Sequence, residues 1–289
     1  MTDRRDFSAG MATGILAAFF LGSALAITAS AASGPVSKQP SPSGQQATAG
    51  WRDDFNAPQV DTNRWVIASG LAPGHIVNFH IGYYEPSHVQ ILTDGTNSYL
   101  QMLLTQENGP VDSSASGVIS RGALIYTKNT YGYGTYEWRM RMSSTATTPN
   151  EPSGTSVSGS VSAGFNYVNN SETEIDFEFS ALAPDTLYMV NWKNPNPLTD
   201  PTSANETFST LFPFTVTSEF HTYKFVWQRK QIFFYVDDVL QAAHTTNVPR
   251  APANFMINHW GTDSGNWGGT ATVGVSRYFY VDWVRYTPP

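Results

Sequence analysis

The 289-residue chain has no cysteine. Disulfides, thiol nucleophiles and cysteine metal sites are therefore excluded, and stability must come from a core that a chain of this length can build. Positive charge is also scarce: 16 Lys and Arg face 23 Asp and Glu, for a formal charge of -7. A nucleic-acid partner would favour a basic surface, so none is expected, while a neutral ligand suits this balance. Helical patterning is missing as well. No amphipathic run of helical period and no internal repeat stands out. Beyond the first 32 residues no apolar run approaches the ~20 residues of a membrane helix. GxSxG, HExxH and phosphate-loop motifs are absent, which removes the chemistries they carry.

What is present begins with residues 1–32. MTDRRDF is followed by GILAAFFLGSALAI and then ASAAS. A polar start with paired arginines, an apolar middle and small residues at the end describe an export signal. Arg4 and Arg5 followed by Phe7 point to the twin-arginine route; an ordinary secretory signal and an uncleaved anchor are the alternatives. Residues 33–50 contain GPVSKQPSPSGQQATAG, a Pro/Ser/Gly-rich flexible linker. Residues 51–289 then form one folded domain. The expected product is exported to the periplasm or outside the cell, has no stable membrane insertion once the signal is removed, and is a monomer.

Within that domain, period-two patterns recur between Gly, Asn and Pro breaks. They predict strands at 99–106, 134–142, 158–167, 172–179, 186–192, 221–228, 231–238, 255–260 and 278–286, with a hairpin turn at QRKQ, 228–231. Long polar intervals remain at 143–157 and 193–207. Many strands with polar connections give an all-β fold of two packed antiparallel sheets, a β-sandwich.

The segment EIDFEF, residues 174–179, alternates acid with apolar. On a strand Glu174, Asp176 and Glu178 share one face, and Ile175, Phe177 and Phe179 enter the core. Neighbouring acids on that face have Cα atoms ~7 Å apart, so repulsion should raise at least one pKa. A protonated carboxyl beside an ionised one is what acetal cleavage needs. A metal site and a plain solvated strand face carry the same pattern, and the alternation alone leaves all three open. His259, in a strand with Trp260, reads as a structural histidine.

EIDFE resembles the Glu-x-Asp-x-Glu strand of glycoside hydrolase family 16. YGYGTYEWRMR (131–141), HTYKFVWQRKQIFFYVDD (221–238), NVPRAPANFMINHW (247–260) and VDWVRY (281–286) also resemble segments of that family, in order, with the bacterial lichenases nearest. The resemblance implies a concanavalin-like β-jelly roll with a concave substrate cleft. It implies Glu174 as nucleophile, Glu178 as general acid then base, and Asp176 as the helper between them. Trp260, Asn258, Trp192, Tyr188 and Arg121 would bind substrate, with core packing as the alternative for each aromatic. Glu137 and Arg139 would either support the cleft or lie on the outer face. No cofactor is implied for catalysis. A structural calcium ion is implied at Asp282, with backbone oxygens at Asp54 and Gly95 completing the site and clipping the chain start to its end. The expected partner is a neutral β-glucan, cut internally with retention. The uninterrupted EIDFE favours a mixed 1,3-1,4-β-glucan; a 1,3-β-glucan, transglycosylation and a non-catalytic glycan-binding module are the alternatives. Val118 stands where the family's Ser-Gly-Glu-Ile would place a substrate-binding acid, and the loop at 143–157 is expected to reshape one end of the cleft.

Overall fold

A computed structural model describes residues 49–73, 80–110, 116–168, 171–193, 204–209 and 215–289. The expected export signal and nearly all of the expected linker lie outside the described residues, and the first described strand begins at Trp51. The strands are β1 (Trp51–Asp53), β2 (Trp65–Ile67), β3 (Gly70–Leu71), β4 (His80–Tyr84), β5 (Val89–Asp94), β6 (Asn97–Pro110), β7 (Ser116–Tyr131), β8 (Gly134–Ser144) and β9 (Ser160–Val168). They continue as β10 (Thr173–Ser180), β11 (Leu187–Trp192), β12 (Ala204–Ser209), β13 (His221–Gln228), β14 (Gln231–Val236), β15 (Val239–His244), β16 (Ala253–Gly261) and β17 (Arg277–Thr287). Among the described residues no helix is long and apolar enough to cross a membrane.

Two antiparallel sheets face each other as a jelly-roll sandwich. One runs β12-β11-β10-β9-β16-β7-β2. The other runs β5-β6-β17-β8-β13-β14-β15, with β1 also on β17. At one corner β6 and β7 extend beyond the sandwich, and β4 joins β7 in parallel.

The alternation in β10 decides which way it faces. Ile175, Phe177 and Phe179 are fully buried between the sheets. The Phe177 ring lies edge-on to Tyr223 at 5.5 Å and to Phe234 at 5.4 Å, both from the second sheet. Trp138 stacks on Phe255 at 4.5 Å across the same gap. These large rings dominate the buried area that holds the sheets together. The face of β10 that bears its acids must then point away from the core.

Each strand read from the sequence is present, and Gln228 pairs Gln231 at the expected hairpin. Strand β7 was hidden because Ala123, Leu124, Ile125 and Tyr126 form an unbroken apolar run. Ala123 and Ile125 face the core, whereas Leu124 and Tyr126 pack among apolar groups on the opposite face. Strand β12, at the end of the polar interval 193–207, was hidden by its composition, ANETFS. The loop after β8 corrects the expectation placed on 143–157. Asn150 donates to Asp94 at 3.0 Å, Tyr280 donates to the Ala146 carbonyl at 2.9 Å, and Arg141 to that of Pro149 at 2.9 Å. Arg141 alternates with the core residues Met140 and Met142, so the loop covers the outer face of the second sheet, away from the β10 acids.

Candidate active site

Strand register sets the surroundings of the three acids. Across β11, Glu174 faces Trp192, Asp176 faces Val190 and Glu178 faces Tyr188. Across β9 they face Tyr167, Phe165 and Ala163. One strand further, on β16, stand Asn254, Met256 and Asn258, and Leu124 on β7 lies beside Asn258. On the other side, β12 places Glu206 opposite Val190 and Phe208 opposite Tyr188. Glu206 is thus a fourth carboxyl in the row of Asp176. Nothing in the local pattern of ANETFS announced it, because its place depends on how β12 pairs.

Asp176 is buried, 5% exposed, and Glu174 and Glu178 are half-buried. Protein crowds them on both flanks, so water is poorly placed to stabilise their charges. Burial first, then the charges of Glu174 and Glu206, push Glu178 up to about 8. Burial likewise pushes Glu174 up to about 7, while a hydrogen bond from the Ser171 hydroxyl works in the opposite direction. Asp176 is raised well above the carboxylate range, by burial and then by Glu174, Glu178 and Glu206. Glu206 is itself raised by burial. All three carboxyls of β10 are thus pushed toward neutrality, where an ordinary glutamate or aspartate would already be ionised.

Asn258 is buried, and its Oδ1 has no partner among the described residues. Its side chain bonds Tyr84, whose own pKa is raised by burial and by Glu178. Tyr84 was missed by the sequence reading because it arrives on β4, outside the main sheet. Trp260 packs with Tyr84, Val161, Ala68 and Ala72. Trp192 and Tyr188 cluster with Val190. Trp260, Trp192 and Tyr188 therefore stand on the acid side as expected but are themselves buried. The more open rings are others: Phe208 is 48% exposed, and half-buried Trp267 meets Tyr188 edge-on at 4.9 Å. Neither lies in a segment read as a strand from the sequence.

Arg121 is not brought to this row. Its strand parity is that of Ala123 and Ile125, and its guanidinium binds Glu85 at 2.6 Å and Glu107 at 3.1 Å. Val118 pairs with His80 and Asn108 in the corner extension; the β7 residues on the acid face are Leu124 and Tyr126. His259 is fully buried, bonds the Met102 carbonyl at 2.9 Å, and is pushed down to about 3 by burial, as a neutral structural histidine. Glu137 pairs with Arg285, and Arg139 with Asp282, on the outer face of the second sheet.

Of the residues expected to hold calcium, Asp282 is the one whose side chain would be used, and an arginine already engages it. The Asp282 carboxylate accepts from Arg139 at 2.6 Å, and Asp54 accepts from Arg52 at 2.7 Å. Gly95 sits in the tight β5–β6 turn with φ of 66°. Among the described residues, no three of His, Asp or Glu gather as a metal-holding group. A hard cation needs several oxygens that are not already committed to arginines.

Carboxyls that hold their protons near neutrality, set in a row on the open side of a jelly roll, are equipment for acid-assisted acetal cleavage. They define the molecule as a glycoside hydrolase. The family model described as glycosyl hydrolases family 16 matches residues 82–285, and the chain belongs to that family. It is similar to a beta-glucanase of Paenibacillus polymyxa, 32% identical over 78% of this chain and 84% of the relative. A beta-glucanase of Paenibacillus macerans is 34% identical over 77% and 82% respectively. Among solved structures, the Bacillus licheniformis beta-glucanase superposes with a TM-score of 0.63 at 25% identity, covering 84% of this chain and 100% of that one.

Proposed function

We propose that this chain is a retaining, endo-acting β-glucanase whose preferred substrate is mixed-linkage 1,3-1,4-β-glucan. The observation that carries the reading is geometric: Glu174, Asp176 and Glu178 share the face of β10 turned away from the core, opposite Trp192, Val190 and Tyr188, and burial raises the pKa of all three carboxyls. The beta-glucanase relatives support the glucan as substrate. Glu178 donates its proton to the glycosidic oxygen while Glu174 attacks the anomeric carbon; the C–O bond breaks and a glycosyl-enzyme ester forms. Glu178, now ionised, takes a proton from water, whose oxygen attacks the same carbon and releases Glu174. Two inversions retain the β configuration. Asp176, protonated between the two, lowers the charge of the row and offers its proton to an oxygen of Glu174. The unpartnered Oδ1 of Asn258 suits a sugar hydroxyl, since a buried acceptor gains most from a donor that arrives with the ligand.

The signal at 1–32 makes export part of the same proposal; N-terminal sequencing of the secreted protein tests it. The central test is product analysis on barley glucan, lichenan, laminarin and xyloglucan, with NMR of the fresh reducing end. Internal cleavage of lichenan with β-anomer appearing first is expected. Fresh α-anomer overturns retention, and laminarin cleavage without action on lichenan overturns the substrate.

A further inference from the structure

Among the described residues, strand β12 stands at the end of the acid-bearing sheet and pairs by backbone with β11. It nevertheless carries Glu206 and Phe208 on the acid side. Side chains anchor it from the other side. His244, at the end of β15 in the opposite sheet, is buried, with Nε2 2.6 Å from the Thr207 hydroxyl. Its Nδ1 lies 2.6 Å from Asn191 Oδ1, an acceptor, so Nδ1 bears the hydrogen. Asn191 is in turn fixed by donating to the carbonyls of Thr246, at 3.2 Å, and Asn247, at 2.8 Å. The Asn247 side chain donates to the carbonyl of Ala204, at the first residue of β12. Thr207 alternates with Glu206 and Phe208, so the grip on the inner side fixes the direction in which those two point.

We propose that His244 is a positioning residue for catalysis: by clamping Thr207 it holds Glu206 where its charge acts on the proton-donating Glu178. This rests on the assignment of Glu178 as general acid. By strand spacing Glu206 stands roughly 10 Å from the β10 acids. Glu178 is faced by Glu174 and Asp176 on its own strand, Tyr188 on β11, Glu206 on β12, and Tyr84 on β4 through Asn258. Of these, Glu206 is the acid whose position depends on a clamp outside β10. Burial pushes His244 down to about 4, so the ring stays neutral, and the clamp intact, where the enzyme works.

The alkaline limb of kcat/KM on lichenan is the readout, because activity falls as Glu178 loses its proton. Removing a negative charge lowers the pKa, so Glu206→Gln should shift that limb to lower pH by roughly 1 unit, the effect of one charge at this range with an effective dielectric of ~20. His244→Ala and the milder Thr207→Val should shift it the same way. Adding Glu206→Gln to either should move it little further. Thermal unfolding is followed in parallel. A lowered Tm with an unshifted limb in Thr207→Val, or a full additional shift in the double variant, overturns the clamp. Glu178→Gln is the control: if it keeps wild-type turnover, the assignment of the general acid fails instead.

Discussion

At pH 7 Glu178 carries its proton because burial and the charges of Glu174 and Glu206 oppose its ionisation. The proposed mechanism uses Glu174 ionised and Glu178 protonated, and the burial that raises both moves the working range toward neutral pH. Glu174→Gln and Glu178→Gln should each reduce kcat by about 10²–10⁴-fold or more with the fold intact by circular dichroism. Azide should partly rescue the corresponding alanine variants, with opposite anomeric products; turnover near wild type in either Gln variant refutes the roles. The same shifts bear on stability. Below the ordinary value of 4.5 both folded and unfolded chains hold these protons, and there is no penalty. As pH rises from 4.5 towards 8, the unfolded chain releases protons that the folded chain retains, so stability falls. Glu178→Gln should therefore raise Tm at pH 8 by several degrees and leave it near the wild-type value at pH 4. Equal Tm at both pH values in scanning calorimetry counts against the burial of this acid.

At the scale of elements, β10 works because one face is anchored as firmly as the other is charged. Phe177 is fully buried against Tyr223 and Phe234. Phe177→Ala should cost about 3–5 kcal/mol in denaturant unfolding and lower activity through displacement of Asp176 and Glu178. The contact between β7 and β16 is equally exacting. A Cβ on Gly122 would come 2.1 Å from the His259 carbonyl oxygen, so Gly122→Ala must push β16 away just where Asn258 and Trp260 leave it. A marked loss of Tm together with a raised KM is expected; an unchanged Tm would show that the strands are not so close. The fold was largely legible in such elements, since period-two alternation survives wherever one face is core and the other is not. It failed at the short strands β1–β5 and at β15, at β7, where residues 123–126 are apolar on both faces, and at β12, whose composition reads as loop.

For the molecule as a whole, the ends of the domain are joined by β1 on β17, with Trp51 opposite Tyr286. This joint uses backbone pairing and rings: Trp51 meets Trp65 at 5.7 Å and Phe255 at 5.3 Å. Asp282, the acid a calcium site at this joint would use, is already paired with Arg139. Chelation followed by calcium re-addition should therefore leave Tm unchanged, and a calcium-dependent rise of several degrees would show that the ion displaces that arginine.

The sequence by itself determined that the chain is a sandwich without disulfides, and that Glu174, Asp176 and Glu178 share a face. Alternation is a local property, and on a strand it has one geometric meaning. The same parity puts Tyr188, Val190 and Trp192 on one face of the following strand, while register decides which acid each one meets. Tertiary structure alone decided the rest. Glu206 joins the acids, Arg121 is drawn away by Glu85 and Glu107, Trp267 closes over Tyr188, and the loop at 143–157 folds onto the far sheet. Each of these depends on pairing between strands far apart in the chain. Such register is set by how whole faces fit, and no short stretch of residues contains it.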